Sequence, residues 1–436
     1  MALGGGTFVS TNKVLPGSYI NFVNAARASA SISDRGVVTI PFELDWGKDE
    51  GVFSVTSAQF VKDADTIFGY PYGHEKLKDL REVFKYAKEL LCYRLNSGNK
   101  ASNTNAVAKY SGIRGNDLKI AISFNASDVD KFDVVTFLDN IEIDMQTVSD
   151  SSELVGNAYI DFTNEALSET AASPLSGGTN ATTITGQNYT DYLREIEAYS
   201  FNAMGCPSTE ETVISLFINF TKSMRDDMGV KFQTVVMSTD SAADYEGVIE
   251  LVNSPSDDTL SKSSLIYWTT GAEGACEIQA SLTNRAYNGE YKINTKYTQD
   301  QLIVFLRSGK FAFHRVGNEV RVLEDINSLI TFSEVKGKDF TANQTIRVMD
   351  QIANDVATIF NDKYLGKIPN DNSGRISLWN DIVKHHQALQ TVRAIEAFDP
   401  ANIVVSQGDE KKKVIVSDLI TPTNVMTQLY MTVVVA

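Results

Sequence analysis

The sequence predicts an α+β chain of several packed units: an α/β unit, a β-sandwich inserted into it, and a mixed unit at the C-terminal end. Three observations predict this. The chain has 436 residues, more than one ordinary hydrophobic core serves. Helical and strand patterns alternate over residues 36–96 and resume after 188, as β-α-β connections do. Between them, from about 97 to 170, the pattern changes to short period-two runs separated by turn residues.

Each element follows from its residues. The first 24 residues read as an arm. Within it Ile20 and Phe22 alternate with Tyr19, Asn21 and Val23 in a short strand without a nearby partner. GVVTIPFELDWG (36–47) reads as a buried strand. HEKLKDLREVFKYAKEL (74–90) places Leu77, Leu80, Phe84 and Ala87 on one face of a helix, and LLCYRLN returns as a strand. DLKIAISF, FDVVTFL, NIEIDMQTV and AYIDF are the sandwich strands. SETAASPLSGGTNATTITGQN (168–188) is rich in Ser, Thr, Gly and Ala and reads as a linker or long loop. TEETVISLFINFTKSMRDDMG is a helix closed by Gly229. KFQTVVMS, GVIELVNS and SLIYWTTG follow as strands, and ACEIQASLTNRA as a helix. Residues 308–332 hold two short strands and a step out of the α/β unit.

In the last hundred residues, Thr341 and Gln344 have the spacing of a capping box. The helix they open carries an apolar stripe of Ile346, Met349, Ile352, Ala353, Val356, Ile359 and Phe360. A second helix, RISLWNDIVKHHQALQTVRAIEAF, stops at Asp399-Pro400, and NIVVSQGDEKKKVIVSDLI is a hairpin. The chain ends on QLYMTVVVA, an uncharged run of high β-propensity. Such a strand is an aggregation hazard unless a dedicated partner covers it.

Composition narrows the function. A formal net charge of −16 argues against nucleic acid and anionic membrane as partners, since both call for a positive surface. Cys92, Cys206 and Cys276 are odd in number and far apart, so neither a disulfide framework nor a CxxC metal pair is present, and a reducing compartment fits. The first residues lack a basic stretch followed by an apolar one, so no secretory signal is expected. No apolar run is long enough to span a membrane.

A catalytic constellation is not expected either. The four histidines are His74, His314, His385 and His386. His74 opens a helix, and His314 alternates with Phe311 and Phe313 in a strand. His385 and His386 are consecutive on a helix and point in different directions, against joint metal ligation. There is no G-x-S-x-G and no H-E-x-x-H, and TTGAEGACEIQ lacks the P-loop lysine. Catalytic, metal and cofactor residues are therefore all read as none.

Several stretches together resemble the contractile phage tail sheath proteins of Gram-positive myophages, defective prophages and phage-tail-like bacteriocins. They are NKVLPGSYINF, RGVVTIPFELDWG, FGYPYG, CYRLNSG, SLTNRAYNGEY, GKFAFHRVGNEVRVLEDINSLITF and LITPTNVMTQLYMTVVV, in that order from end to end. The resemblance implies a subtilisin-like α/β outer domain at 36–96 and 176–332, with the β-sandwich at 97–175 inserted. It also implies an inner α+β domain formed by both chain ends, 1–35 and 333–436, which packs on the tail tube. It implies arms that add strands to neighbouring subunits: Tyr19, Ile20 and Phe22 at one end, Tyr430, Thr432, Val433, Val434 and Val435 at the other. Tube-contact candidates are Lys363, Lys367, Arg375 and Lys384. The implied partners are other copies in a helical sheath, the tube protein, and baseplate and tail terminator proteins. The implied location is a virion or tail-like particle assembled in the bacterial cytoplasm. Two alternatives stand beside it: a non-contractile self-assembling phage or surface filament protein, and a subtilisin-like hydrolase.

Overall fold

The computed structural model describes residues 32–435. Strand β1 (Val37–Phe42) turns Val38, Ile40 and Phe42 to one face of a sheet. It turns Thr39 to the other, where the Thr39 hydroxyl meets the Tyr192 hydroxyl at 2.8 Å. β2 (Phe53–Thr56) runs into α1 (Ser57–Phe68), a helix opened by a Thr56–Gln59 capping box and closed by Gly69 at φ 79°. The helix expected over 74–90 is much shorter. It forms a 3-10 turn and then α2 (Lys78–Val83). The amides of Lys88 and Glu89 are needed by the Gly36 carbonyl, at 2.9 and 3.2 Å, to start β3 (Glu89–Arg94) in register with β1. Sheet pairing overrides helical periodicity there.

The chain then enters the sandwich. β4 (Lys100–Ser102), β5 (Ala106–Ser111), β6 (Leu118–Phe124), β7 (Phe132–Leu138), β8 (Ile141–Val148), β9 (Ile160–Phe162) and β10 (Thr170–Pro174) form two sheets, ordered β4-β5-β9 and β10-β6-β7-β8. Their inner faces meet in a core that includes Ile120, Ile122, Val134, Ala108 and Ile160. β7 and β8 are joined at Asp139-Asn140, both with positive φ, the backbone that a two-residue hairpin turn needs. The stretch expected as a linker contains β10, an edge strand bulged against β6. Its side chains are mostly exposed, so it lacks the apolar alternation that marks a strand.

Two neighbouring chain segments form the stem of this insertion. The Thr179 amide donates to the Asn99 carbonyl at 3.1 Å, and the Ala181 amide to that of Asn96 at 3.0 Å. A side chain at Gly98 would collide with the Thr179 carbonyl. Two buried arginines reinforce the joint. Arg94 donates to the carbonyls of Gly47 (3.1 Å) and Ser111 (2.9 Å). Arg114 holds Asp139 bidentately at 2.7 and 2.6 Å and donates to the Gly69 carbonyl.

Beyond the stem come α3 (Gly186–Ile196), β11 (Ala203–Gly205), α4 (Glu211–Lys222), β12 (Gln233–Met237), β13 (Val248–Leu251), α5 (Leu265–Ala275), α6 (Gln299–Arg307) and β14 (Lys310–Phe311). The sheet order is β14-β13-β12-β11-β1-β3-β2, parallel except for β2. SLIYWTTG, expected as a strand, lies in α5. Every residue from Leu265 to Gly274 is buried, so the helix is enclosed on all sides and shows no 3.6-residue apolar stripe. It lies on the sheet face that presents Val38, where side chains at Gly271 and Gly274 would strike the Val83 carbonyl and the Val38 side chain. The expected helix at 275–286 is instead, past Ala275, a run of irregular turns with Asn284 at φ 60°. Its amides at Leu282 and Asn284 are taken by the Asp325 carboxylate and the Val322 carbonyl, both at 2.9 Å. β15 (Phe313–Val316) and β16 (Glu319–Val322) form a separate hairpin.

The C-terminal unit packs α7 (Asn343–Ile359) and α8 (Asn372–Thr391) under a ribbon of β17 (Val404–Gln407) and β18 (Val414–Ser417). No capping box forms at Thr341 and Gln344, because the N-cap is Ala342. The Gln344 side chain instead donates to the Gln279 carbonyl (3.1 Å) and accepts from the Val425 amide (3.0 Å). α8 ends at Thr391, before the expected Asp399-Pro400, with Arg393 at φ 62° turning the chain back.

Candidate assembly interface

The ribbon β17–β18 pairs Val404 with Ser417 through Gln407 with Val414. Among the described residues no third strand joins it. One of its faces covers α8, and Trp379 donates to the Ile403 carbonyl at 2.9 Å. Val404, Ile415 and Val416 are exposed. The ribbon therefore presents two free rows of backbone donors and acceptors, which is what strand addition requires.

The chain leaves β18 and runs back along α7. The Glu396 amide donates to the Thr421 carbonyl (2.9 Å), and the Thr423 amide to that of Ala394 (3.0 Å). The Asn424 side chain donates to the Thr345 hydroxyl at 3.1 Å. Past Val425 the backbone has no partner among the described residues. Tyr430, Thr432, Val433, Val434 and Val435 are all exposed there, and Val434 is 86% exposed. Tyr19, Ile20 and Phe22 lie outside the described residues.

Three of the four basic candidates cluster around the α7–α8 connection. Lys363 pairs with Asp381 at 3.2 Å, and Lys367 donates to the Asp362 carbonyl. Arg375 donates to the Asn370 carbonyl at 3.0 Å. It lines an apolar groove of about 360 Å³ with Phe360, Leu378, Lys411 and Lys412. Lys384 is exposed on α8, about 13 Å along the axis from Arg375 at ~1.5 Å per residue.

Sequence reasoning missed what anchors this unit to the α/β unit. α7 is more deeply buried on its polar face than on its apolar stripe. Asn343, Arg347, Asp350, Gln351 and Asp355 are buried, whereas in the apolar stripe only Ile346 and Ile359 are, and Met349, Ile352, Ala353, Val356 and Phe360 are only partly so. Arg347, 1% exposed, pairs with Glu273 at 2.9 Å and Asp325 at 3.1 Å. Arg225 grips Asp350 at 2.6 and 2.9 Å. Burial, with the nearby Asp325 charge, drives the Glu273 carboxyl well above the ordinary carboxylate range. Burial pushes Asp325 the same way, but Arg347 and hydrogen bonds outweigh it, so Asp325 stays below that range. The cluster thus sets Arg347 against one charged carboxylate and one carboxyl whose charged form burial disfavours. The visible signal was Arg347, Asp350 and Asn354 at i, i+3 and i+7, a second stripe on a helix already assigned an apolar one.

A second polar concavity, about 190 Å³, opens at the carboxyl ends of β1, β3 and β11, where Phe42, Leu95 and Pro207 meet Asp79, Ser263 and Tyr267. This is where a parallel α/β sheet would keep a ligand. Its serines are engaged otherwise: Ser263 donates to the Pro207 carbonyl at 2.8 Å and meets Ser261 at 2.8 Å. Among the described residues no histidine hydrogen-bonds a serine, and no three metal-ligating side chains converge. All three cysteines are buried and unpaired.

Asp79 in this concavity has its carboxyl pushed up to about 6 by burial, with the 2.6 Å hydrogen bond from Tyr291 opposing. A carboxyl raised on folding contributes stability below its unfolded value, near 3.8, that is lost as pH rises through about 6. Asp79→Asn removes that loss. Urea denaturation is expected to show the variant about 1–3 kcal/mol more stable than the parent at pH 7.5 and equal to it near pH 4. An equal gain at both pH values would rule out the charge as the cause.

The chain matches four family models placed end to end. These are the N-terminal region of tail sheath protein Gp18 domain III over residues 35–95, the phage tail sheath β-sandwich domain over 96–180, the central domain over 182–328, and the C-terminal domain over 335–436. It is 32% identical to the phage-like element PBSX protein XkdK of Bacillus subtilis over 99% of each chain. Its fold is similar to the sheath tail protein of Desulfitobacterium hafniense, with a TM-score of 0.80 and 35% identity over 93% of this chain and 96% of that one. It is also similar, in fold alone, to the helical sheath of the anti-feeding prophage in its contracted state. There the TM-score is 0.55 at 12% identity, over 97% and 99% of the two chains.

Proposed function

The chain belongs to the phage tail sheath protein family, and from that premise we propose that it is a contractile sheath subunit. It polymerises as a helical cylinder around a tail tube, and contraction drives the tube through the target envelope. The observation that carries this reading is an apolar C-terminal arm and a ribbon with two open edges, neither of which has a backbone partner among the described residues. An arm from one subunit completes the ribbon of the next, so main-chain hydrogen bonds link the subunits while alternate side chains set register.

In this reading 333–436, with the N-terminal arm in 1–35, faces the tube. The α/β unit at 36–96 and 176–332, subtilisin-like in its helix-flanked parallel sheet, faces outward and carries the sandwich at 97–175. Lys363, Lys367, Arg375 and Lys384 meet an acidic tube surface, while the baseplate and a terminator bound the cylinder. The buried Arg347 cluster makes α7 rigid on the α/β unit, so that the subunit body moves as one piece while the arms bend. The work is mechanical and non-enzymatic. It draws on a metastable extended lattice, within a virion or tail-like particle assembled in the bacterial cytoplasm.

Negative-stain electron microscopy of the full chain at high concentration, with and without tube protein, tests this. Hollow striated cylinders are expected. Dispersed particles under both conditions would overturn the reading.

A further inference from the structure

His385 and His386 are fully buried, and they do more than fill space. The two rings approach each other at Nδ1, 3.4 Å apart, while their Nε2 atoms reach in opposite directions. His385 Nε2 lies 2.9 Å from Asp355 Oδ2, and His386 Nε2 lies 2.7 Å from Asp418 Oδ2. Each carboxylate belongs to the root of a chain end. Asp355 accepts from the Ser33 amide at 3.3 Å and from the Ser33 hydroxyl, and Gln351 bridges the two. Asp418 immediately follows β18, where the C-terminal segment begins. One continuous row of hydrogen bonds thus joins residue 33 to residue 418 through the two imidazoles.

Satisfying all three contacts at once requires a definite proton count. Both Nε2 atoms face carboxylates, so both must carry hydrogen. The Nδ1 contact needs one N–H and one lone pair. That makes three ring protons on two imidazoles, one neutral ring and one cation. Remove one, and either two lone pairs face each other or a lone pair faces a carboxylate. Add one, and two N–H groups collide. The titratable groups facing the pair are Asp355 from α7 and Asp418 from beyond β18. Ser33, Gln351 and the Phe398 ring complete its surroundings without ionising. Among the described residues neither carboxylate has a lysine or arginine partner, so the shared proton offsets one of their two charges.

We propose that the His385–His386 pair is a protonation latch on the roots of both chain ends, closed while the rings share one extra proton and released when that proton is lost or a second is added. Its effect on polymerisation rests on the sheath reading. The latch itself does not, so the test uses the dispersed full chain.

Hydrogen exchange, corrected for intrinsic rate, is followed from about pH 5 to about pH 9. Protection around Ser33 and over residues 418–425 is expected to peak in the middle of the range and to fall together at both ends by about fivefold, the scale of one hydrogen bond. His386→Gln keeps a donor toward Asp418 but cannot hold the charge, and is expected to flatten the profile. Should that variant not fold, Asp418→Asn at the partly exposed end serves, with C-terminal protection lowered at all pH values. Nitrogen-15 spectra at neutral pH are expected to show both Nε2 atoms protonated. A flat profile in the parent, an unchanged one in Asp418→Asn, or an unprotonated Nε2 would overturn the latch.

Discussion

Deleting residues 426–435 is expected to abolish polymerisation while leaving the melting temperature of the dispersed chain nearly unchanged. Met426, Leu429, Tyr430, Met431 and Val433–Val435 are exposed and contribute nothing to the core, so their loss removes no packing from the monomer. In an assembly they would supply four or five main-chain hydrogen bonds per junction, at about 0.5–1.5 kcal/mol each. The apolar area covered against the open ribbon adds to this. Each junction is repeated at every subunit, so its loss is multiplied along the cylinder. Sedimentation and microscopy report the polymer, and thermal unfolding reports the fold. A graded version is Val433→Pro, which removes one donor and restrains one φ and should shorten rather than abolish cylinders. Cylinders of full length from the truncated chain would sink the strand-addition reading and leave the family assignment untouched.

The second large effect is on stability. Arg347→Met is expected to cost about 3–5 kcal/mol at neutral pH, because it strips the counter-charge from a fully buried carboxylate. The cost falls on Asp325, whose charged form Arg347 favours, more than on Glu273, whose charged form burial disfavours. Asp325 keeps the amide of Leu282 at 2.9 Å and the side chain of Asn343 at 2.8 Å, and neither carries charge. In the parent, the depressed Asp325 pKa means that its contribution is present above the unfolded value and lost as pH falls below it. In the variant the carboxyl takes up a proton well before that point, so the deficit should shrink toward pH 4. Arg347→Met combined with Asp325→Asn should recover much of the loss. Urea denaturation at two pH values checks both claims, and a deficit below about 1 kcal/mol would refute the assignment of this cluster as the anchor.

The sequence made the mixed α+β, multidomain character legible because its patterns are local. Period-two runs in β6, β7 and β8 and the Gly229 stop after α4 need nothing beyond their own neighbourhood. What it hid was set by distant partners. α5 reads as a strand because burial on every side erases the helical stripe. Residues 275–286 read as a helix until Asp325 claims an amide from them. α7 shows an apolar stripe that is the less buried of its two faces, since Glu273 and Asp325 arrive from elsewhere to receive Arg347. The exposed C-terminal run stood out for the opposite reason: an uncharged β-rich run is conspicuous in the primary structure. His385 and His386, read as diverging, do diverge at Nε2, but their Nδ1 atoms meet, which adjacent positions on a helix do not announce.

The stem of the β-sandwich bears on which changes such a chain accommodates. Its two crossings are fastened side by side by Asn96, Asn99, Thr179 and Ala181, so the sheet registers only two closely spaced ends. Enlarging, trimming or exchanging the sandwich as a cassette is therefore expected to leave the register of the sheet intact. The same property makes positions 98 and 179 a grafting port. A foreign domain whose termini lie equally close together would be displayed once per subunit, in a repeating array whose spacing the rest of the chain dictates.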